Sequence, residues 1–216
     1  MLRHEWGVVF LMGLVGCATC VPASVRTLDV AHQQAVHVRS HKTSAEVTLW
    51  QRQGNAWSKT YPTVSAVIGR NGLAPAGEKK EGDGRTPSGI YDLKKAFGYF
   101  VDVTTGLDYE IVHADDIWVD DAASPDYNRW VKAPTQAASF EQLKRADHLY
   151  ELAAVIEYNT KPVTPGAGSA IFMHIWRRYD HPTAGCVALS ERHLRRILKY
   201  LDKNKQPVIV LEEGHG

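Results

Sequence analysis

An excess of charge of either sign is missing from this 216-residue sequence. Its 25 Lys and Arg face 24 Asp and Glu, for a formal net charge of +1. With no basic stripe and no charge block, nothing argues for nucleic acid as a partner or for a solvated tail. Long apolar runs are missing too. The one near the N-terminus extends from Gly7 to Gly16, too short to span a bilayer, and no later run approaches the roughly 20 residues a transmembrane helix needs. Cysteine is scarce, with only Cys17, Cys20 and Cys186 present. A disulfide framework is therefore not expected. A zinc site built from His174, His181 and Cys186 lacks a short-spaced ligand pair among them, so no metal and no cofactor is expected.

What is present supports one globular domain with a real core, since 44% of residues are hydrophobic and 23% charged. The first 23 residues read as an export signal, with Arg3 in a short polar region before the apolar run. Leu14-Val15-Gly16-Cys17 resembles the lipobox of bacterial lipoproteins, which implies lipidation of Cys17 and a membrane anchor at the mature N-terminus. The alternative is an ordinary signal peptide cut after Val21-Pro22-Ala23, which fits the small-residue cleavage rule. Either way the expected location is outside the cytoplasm, in the periplasm or cell envelope. Cys186 is then a free thiol in an oxidising compartment, where an unpaired cysteine is more often reactive than structural; a Cys20–Cys186 bridge is the competing reading.

Residues 24–45 are polar, with scattered histidines, and read as a linker. The folded domain is expected over 46–212. Val47 and Leu49 alternate with polar neighbours, Gln53-Gly54-Asn55 makes a turn, and β-branched residues follow, which predicts a hairpin. Gly69 to Gly89 holds six glycines and predicts a long functional loop. Ile90–Leu93 predicts a strand, and Trp118–Asp121 with Ser124–Asn128 an acidic, aromatic loop. Ser139-Phe140-Glu141-Gln142 fits a capping box, so a helix through Leu143 to about Leu149 is expected. Leu152–Ile156 predicts a buried strand, Ser190 the cap of a second helix, and Pro207–Leu211 a closing strand. Together these predict a mainly β fold with inserted helices and a β-sandwich-like core.

The chemistry concentrates late in the chain. Ile171-Phe172-Met173-His174-Ile175-Trp176 is an apolar run interrupted by one histidine, and Thr183-Ala184-Gly185-Cys186 is a small-residue turn ending on the lone thiol. If the flanking strands are adjacent, Cys186 can meet His174 as nucleophile and base, the imidazolium lowering the thiol's pKa. Gly185 leaves backbone amides open beside the sulfur for an oxyanion. A buried structural cysteine and a merely hydrogen-bonded histidine are the alternative. A papain-like order is unsuited, because only thirty residues follow Cys186.

These two segments, with the upstream Gly84-Arg85-Thr86-Pro87-Ser88-Gly89-Ile90-Tyr91, resemble the L,D-transpeptidase catalytic domain, the YkuD-type family of bacterial cell-wall enzymes. The resemblance implies a cysteine nucleophile at Cys186, its base at His174, Gly185 in the oxyanion-binding turn, and Thr183 in the place of the motif's serine. Thr86-Pro87-Ser88-Gly89 would frame the cleft. It also implies peptidoglycan stem peptides as substrates, with the membrane touched only through a lipid anchor. The family usually carries arginine two residues after the cysteine, where this chain has Ala188, and often glycine after the histidine, where it has Ile175. Arg177 or Arg178 is the candidate replacement for the missing guanidinium. The same dyad would serve an L,D-carboxypeptidase if water replaced the acceptor amine. A non-catalytic wall-binding lipoprotein using Trp118, Tyr127 and Trp130 as a stacking surface, and a thiol peptidase acting on proteins, are the competing functions.

Overall fold

The polar stretch expected to be a linker forms part of the molecule's core. In the computed structural model, which describes residues 20–214, the chain starts with a single-turn helix α1 (Ala23–Arg26) and enters β1 (Gln34–His41). β1 lies between two partners, antiparallel to β2 (Ser44–Gln53) and parallel to the closing strand near the C-terminus. Its polar residues are buried with their partners supplied. The Gln34 side chain donates to the Tyr200 carbonyl and accepts from the Asp202 N–H at 2.8 Å, and His37 Nε2 meets Glu212 at 2.7 Å. Composition made this segment look solvated; partner atoms distant in sequence remove the penalty of burying it.

The expected hairpin follows, β2 turning through Gly54-Asn55 into β3 (Ala56–Lys59), with Gln53 paired to Ala56. Gly54 takes the positive φ of +58° that such a two-residue turn demands. Next come β4 (Val64–Val67), the short pair β5 (Leu73–Ala74) and β6 (Thr86–Pro87) inside the glycine-rich loop, β7 (Gly89–Asp92), β8 (Lys95–Gly98) and β9 (Asp108–Ile111). A three-stranded sheet is built from β10 (Asp116–Val119), β11 (Trp130–Lys132) and β12 (Phe140–Gln142). Then follow β13 (Leu152–Val155), β14 (Phe172–Ile175), β15 (Val187–Leu189), α2 (Glu191–Tyr200) and the closing strand β16 (Val208–Glu213).

Eleven strands make one mixed sheet in the order β7-β16-β1-β2-β4-β15-β14-β13-β8-β9, with β3 attached to β2. Alternate residues feed opposite faces. Val36, Val47, Ala96, Ala154, Met173 and Ile209, from strands spread along the whole sheet, converge on one cluster closed by Leu194, Ile197 and Leu198 of α2. A sheet that brings both its ends onto a single cluster must curl, and this gives the sandwich-like core. On the other face, Phe97, Val155, Phe172 and Cys186 pack with Trp118 of the small sheet. Ser190 caps α2 as expected, accepting from the His193 N–H.

The capping-box expectation fails. Ser139 to Leu149 contains no helix; Phe140–Gln142 pairs antiparallel with β10, and the Gln142 side chain donates to the Ala114 carbonyl at 2.6 Å instead of to its own segment. A segment this short gains more from an available strand edge than from one or two helical turns. Trp118 and Val119, read as loop, lie in β10 for the same reason.

Candidate active site

β14 and β15 are adjacent and parallel, with His174 opposite Ala188. Alternation sends Phe172 and His174 to the face that Cys186 also occupies, while Met173 turns to the α2 side. His174 and Cys186, 6% and 7% exposed, line one cavity of about 200 Å³. No hydrogen bond joins them. The Cys186 thiol donates to the Ala170 carbonyl at 3.3 Å and accepts the Phe172 N–H at 3.4 Å.

The group that orients His174 is a main-chain carbonyl. Nδ1 lies 2.7 Å from the Ile175 oxygen, which can only accept, so Nδ1 carries the proton and Nε2 keeps its lone pair. The Tyr150 ring packs edge-on against the imidazole, with centroids 5.3 Å apart.

Both groups rest neutral. Burial pulls the His174 pKa down to about 4, against the opposing pull of the Ile175 carbonyl. Burial, then the charge of Glu141, pushes the Cys186 thiol up to about 12. An imidazolium that ionises the thiol at rest, as the sequence suggested, is therefore not what this site holds. Burial disfavours either charge alone.

The turn before the sulfur is tightly tied. Thr183 Oγ1 donates to the Cys186 carbonyl at 2.7 Å and accepts the Gly185 N–H at 3.1 Å. Gly185 has φ +156°, and a Cβ there would lie 2.9 Å from the Arg85 carbonyl oxygen. Its amide is thus committed to Thr183. Among the described residues, the Ala184 and Cys186 amides donate to no protein group, and both residues line the cavity.

The glycine-rich loop supports the site from behind. Thr86 Oγ1 accepts the Gly69 N–H and donates to the Cys186 carbonyl. Glu81 accepts from the Tyr127 hydroxyl at 2.5 Å and the Ser169 hydroxyl at 2.6 Å, and buried Lys79 pairs with Asp83 at 2.8 Å. Asn128 is the hub on the other side. Its Oδ1 accepts from Trp118 Nε1 and from the Ala170 N–H, and its Nδ2 donates to the Tyr158 and Asn159 carbonyls. Ala170, which offers its carbonyl to the thiol, takes a φ of +51° that a non-glycine residue adopts only under such support.

Of the two candidate arginines, Arg177 lines the cavity and Arg178 does not; Arg178 turns outward to Asp180. Sequence reasoning missed Glu141, Arg145 and Tyr150, which also line it. Arg145 stacks over Tyr150 at 5.0 Å and forks onto Asp147, which Arg177 also reaches at 3.0 Å. The expected helix covered Arg145, with Glu141 in its cap and Tyr150 just beyond its end, and nothing local signalled their inward turn. Trp118, Tyr127 and Trp130 form no stacking surface. Trp118 and Tyr127 are buried, and Trp130 donates to Asp116 at 2.7 Å and packs on Phe97. Cys20 and Cys186 are both unpaired; Cys17 lies outside the described residues.

Residues 34–210 match the L,D-transpeptidase catalytic domain (YkuD) family. Solved structures similar to the chain include the helical cell shape determining protein Pgp2 from Campylobacter jejuni, at 16% identity, and its K307A mutant, at 15%. Each has a TM-score of 0.46, with 85% of this chain and 48% of the other covered. The chain thus spans about half the length of those structures. No curated protein matches it.

Proposed function

Because the chain belongs to the L,D-transpeptidase catalytic-domain family, we propose that it is a peptidoglycan L,D-transpeptidase that carries stem peptides as a thioester on Cys186. The observation that carries this reading is the shared cavity: it is lined by the buried Cys186 thiol and by an imidazole whose Nδ1 is taken up by the Ile175 carbonyl, leaving Nε2 to act as base.

The neutral resting pair sets the order of events. A separated thiolate and imidazolium would cost roughly 10 kcal/mol given values of about 12 and about 4. Attraction between opposite unit charges, even at a contact separation of about 4 Å, returns only about 4 kcal/mol at an effective dielectric of about 20. Ionisation ahead of substrate is therefore negligible, and proton transfer accompanies attack. As the donor carbonyl enters, Cys186 leaves the Ala170 oxygen, gives its proton to His174 Nε2 and bonds to the carbonyl carbon. The Ala184 and Cys186 amides are the donors placed for the developing oxyanion. The C–N bond then breaks, and His174 returns its proton to the departing D-residue. An amine of a second stem attacks the thioester, its surplus proton passes through Nε2 to sulfur, and the C–S bond breaks.

We also place the domain outside the cytoplasm, anchored through a lipidated Cys17, as the lipobox-like Leu14-Val15-Gly16-Cys17 suggests. Mass analysis of the mature N-terminus checks that reading. The enzymatic reading is tested by incubating the protein with defined muropeptides and reading products by mass. Cross-linked dimers made by the wild type and absent with Cys186→Ala support it; equal turnover by Cys186→Ala ends it.

A further inference from the structure

Among the described residues, one carboxylate of the cleft forms no salt bridge, although the Arg145 charge acts on it. Glu141 sits on β12, where pairing with Trp118 of β10 aims it into the cavity shared by Cys186 and His174. One oxygen, Oε2, accepts the Tyr150 hydroxyl; among the described residues Oε1 has no partner. The nearby guanidiniums are already engaged, Arg145 and Arg177 both binding Asp147. Of the charges acting on Glu141, Arg145 attracts it, while Asp120, beyond the end of β10, and Glu81 from the glycine-rich loop repel it. The Glu141 charge hinders ionisation of the Cys186 thiol, so it does not serve the first half of the reaction.

The geometry points to Glu141 as the acceptor-recognition residue of the cleft, receiving the ammonium group of the incoming amine and taking its first proton. The inference rests on the transpeptidase reading above. A side-chain amine arrives as R-NH3+, with an ordinary pKa near 10, and cannot attack while protonated. Glu141 Oε1 accepts one proton, leaving R-NH2. The nitrogen lone pair then forms the C–N bond to the thioester carbonyl as the C–S bond breaks. The second N–H proton passes through His174 to the Cys186 sulfur, and Glu141 releases its proton to water. Burial raises the carboxyl's own pKa, which suits it to the transfer. Water, the competing nucleophile, arrives neutral, with no positive charge for the carboxylate to pair and no proton it must lose before attack.

The test separates the two half-reactions. A defined muropeptide donor is mixed with wild type or Glu141→Gln, thioester formation is followed by intact mass, and products are partitioned between amine and water capture using a second muropeptide with a free side-chain amine. Glu141→Gln keeps an oxygen for Tyr150. It is expected to form thioester within about threefold of the wild-type rate. Its amine-to-water ratio at pH 7 is expected to fall at least about tenfold, and to converge on wild type near pH 10, where the amine sheds its proton unaided. An unchanged ratio at pH 7, a deficit that persists at pH 10, or loss of thioester formation in the variant would each overturn the role of Glu141. Absence of thioester in the wild type would instead bring down the transpeptidase reading itself, and this inference with it.

Discussion

The Thr86 hydroxyl bridges two backbones that lie far apart in the chain, accepting the Gly69 N–H at 2.9 Å and donating to the Cys186 carbonyl at 3.2 Å. It is fully buried, and Thr183 holds the same Cys186 carbonyl from the other side. The glycine-rich loop and the thiol turn are therefore one unit, and the Thr86-Pro87-Ser88-Gly89 element acts on the chemistry through backbone position.

Thr86→Val keeps the shape and removes the hydroxyl. The Gly69 N–H then loses its acceptor while buried, which costs about 1–3 kcal/mol. Denaturant unfolding should show this loss, Thr86→Ser should recover most of it, and muropeptide turnover should fall with Val more than with Ser.

Gly185→Ala should be damaging despite its small size. The new methyl meets the Arg85 carbonyl oxygen at 2.9 Å and the φ of +156° is strained for any L-residue. A loss of about 1–3 kcal/mol is expected. Turnover should drop in the same variant, because the Ala184 and Cys186 amides shift with the turn.

Acid destabilises the protein through His174. Its folded pKa is about 4 against an ordinary 6.5, so between these values the unfolded chain binds the extra proton and stability rises with pH. The penalty is absent above about pH 7 and grows to about 3 kcal/mol near pH 4. Stability measured from pH 4 to 7 in wild type and His174→Gln should show that this slope disappears in the variant. The acid limb of kcat/KM should likewise lie nearer 4 than 6.5.

Thiol labelling should be slow at neutral pH. With Cys186 pushed up to about 12, iodoacetamide should reach Cys20, which is exposed, well before Cys186. Asn128→Ala, which frees the Ala170 N–H and loosens the carbonyl holding the thiol, should accelerate labelling of Cys186. Equal rates for the two cysteines in wild type would contradict the neutral buried pair.

Arg177→Ala should impair turnover several-fold, since Arg177 lines the cavity and shares Asp147 with Arg145; Arg178→Ala should leave it within about twofold, as expected of an exposed ion pair. A reversed order would show that the guanidinium facing outward is the one the substrate uses.

Much of the fold was legible because it is local. Gly54-Asn55 sets a hairpin wherever it falls between alternating residues, Ser190 caps α2 with its own hydroxyl, and the apolar run at 152–156 has only the interior to occupy. The failures were segments whose fate depends on a distant partner. Gln34 and His37 look soluble until Asp202, Tyr200 and Glu212 are brought beside them. Ser139–Gln142 satisfies the local rule for a helix start and is claimed by the edge of β10.

The candidate site divides along the same line. The chain by itself determined which atoms are available: one thiol beyond the N-terminal segment, a histidine twelve residues before it, and a glycine beside the thiol. Those depend on residue identity and short spacing. Only tertiary structure decided their state. Burial by Tyr150, Phe172 and their neighbours makes thiol and imidazole neutral, the Ile175 carbonyl selects the tautomer, and the strand carrying Glu141 folds over the cleft to charge it. Dielectric and field at a point are sums over everything packed around it, and no stretch of sequence contains that sum.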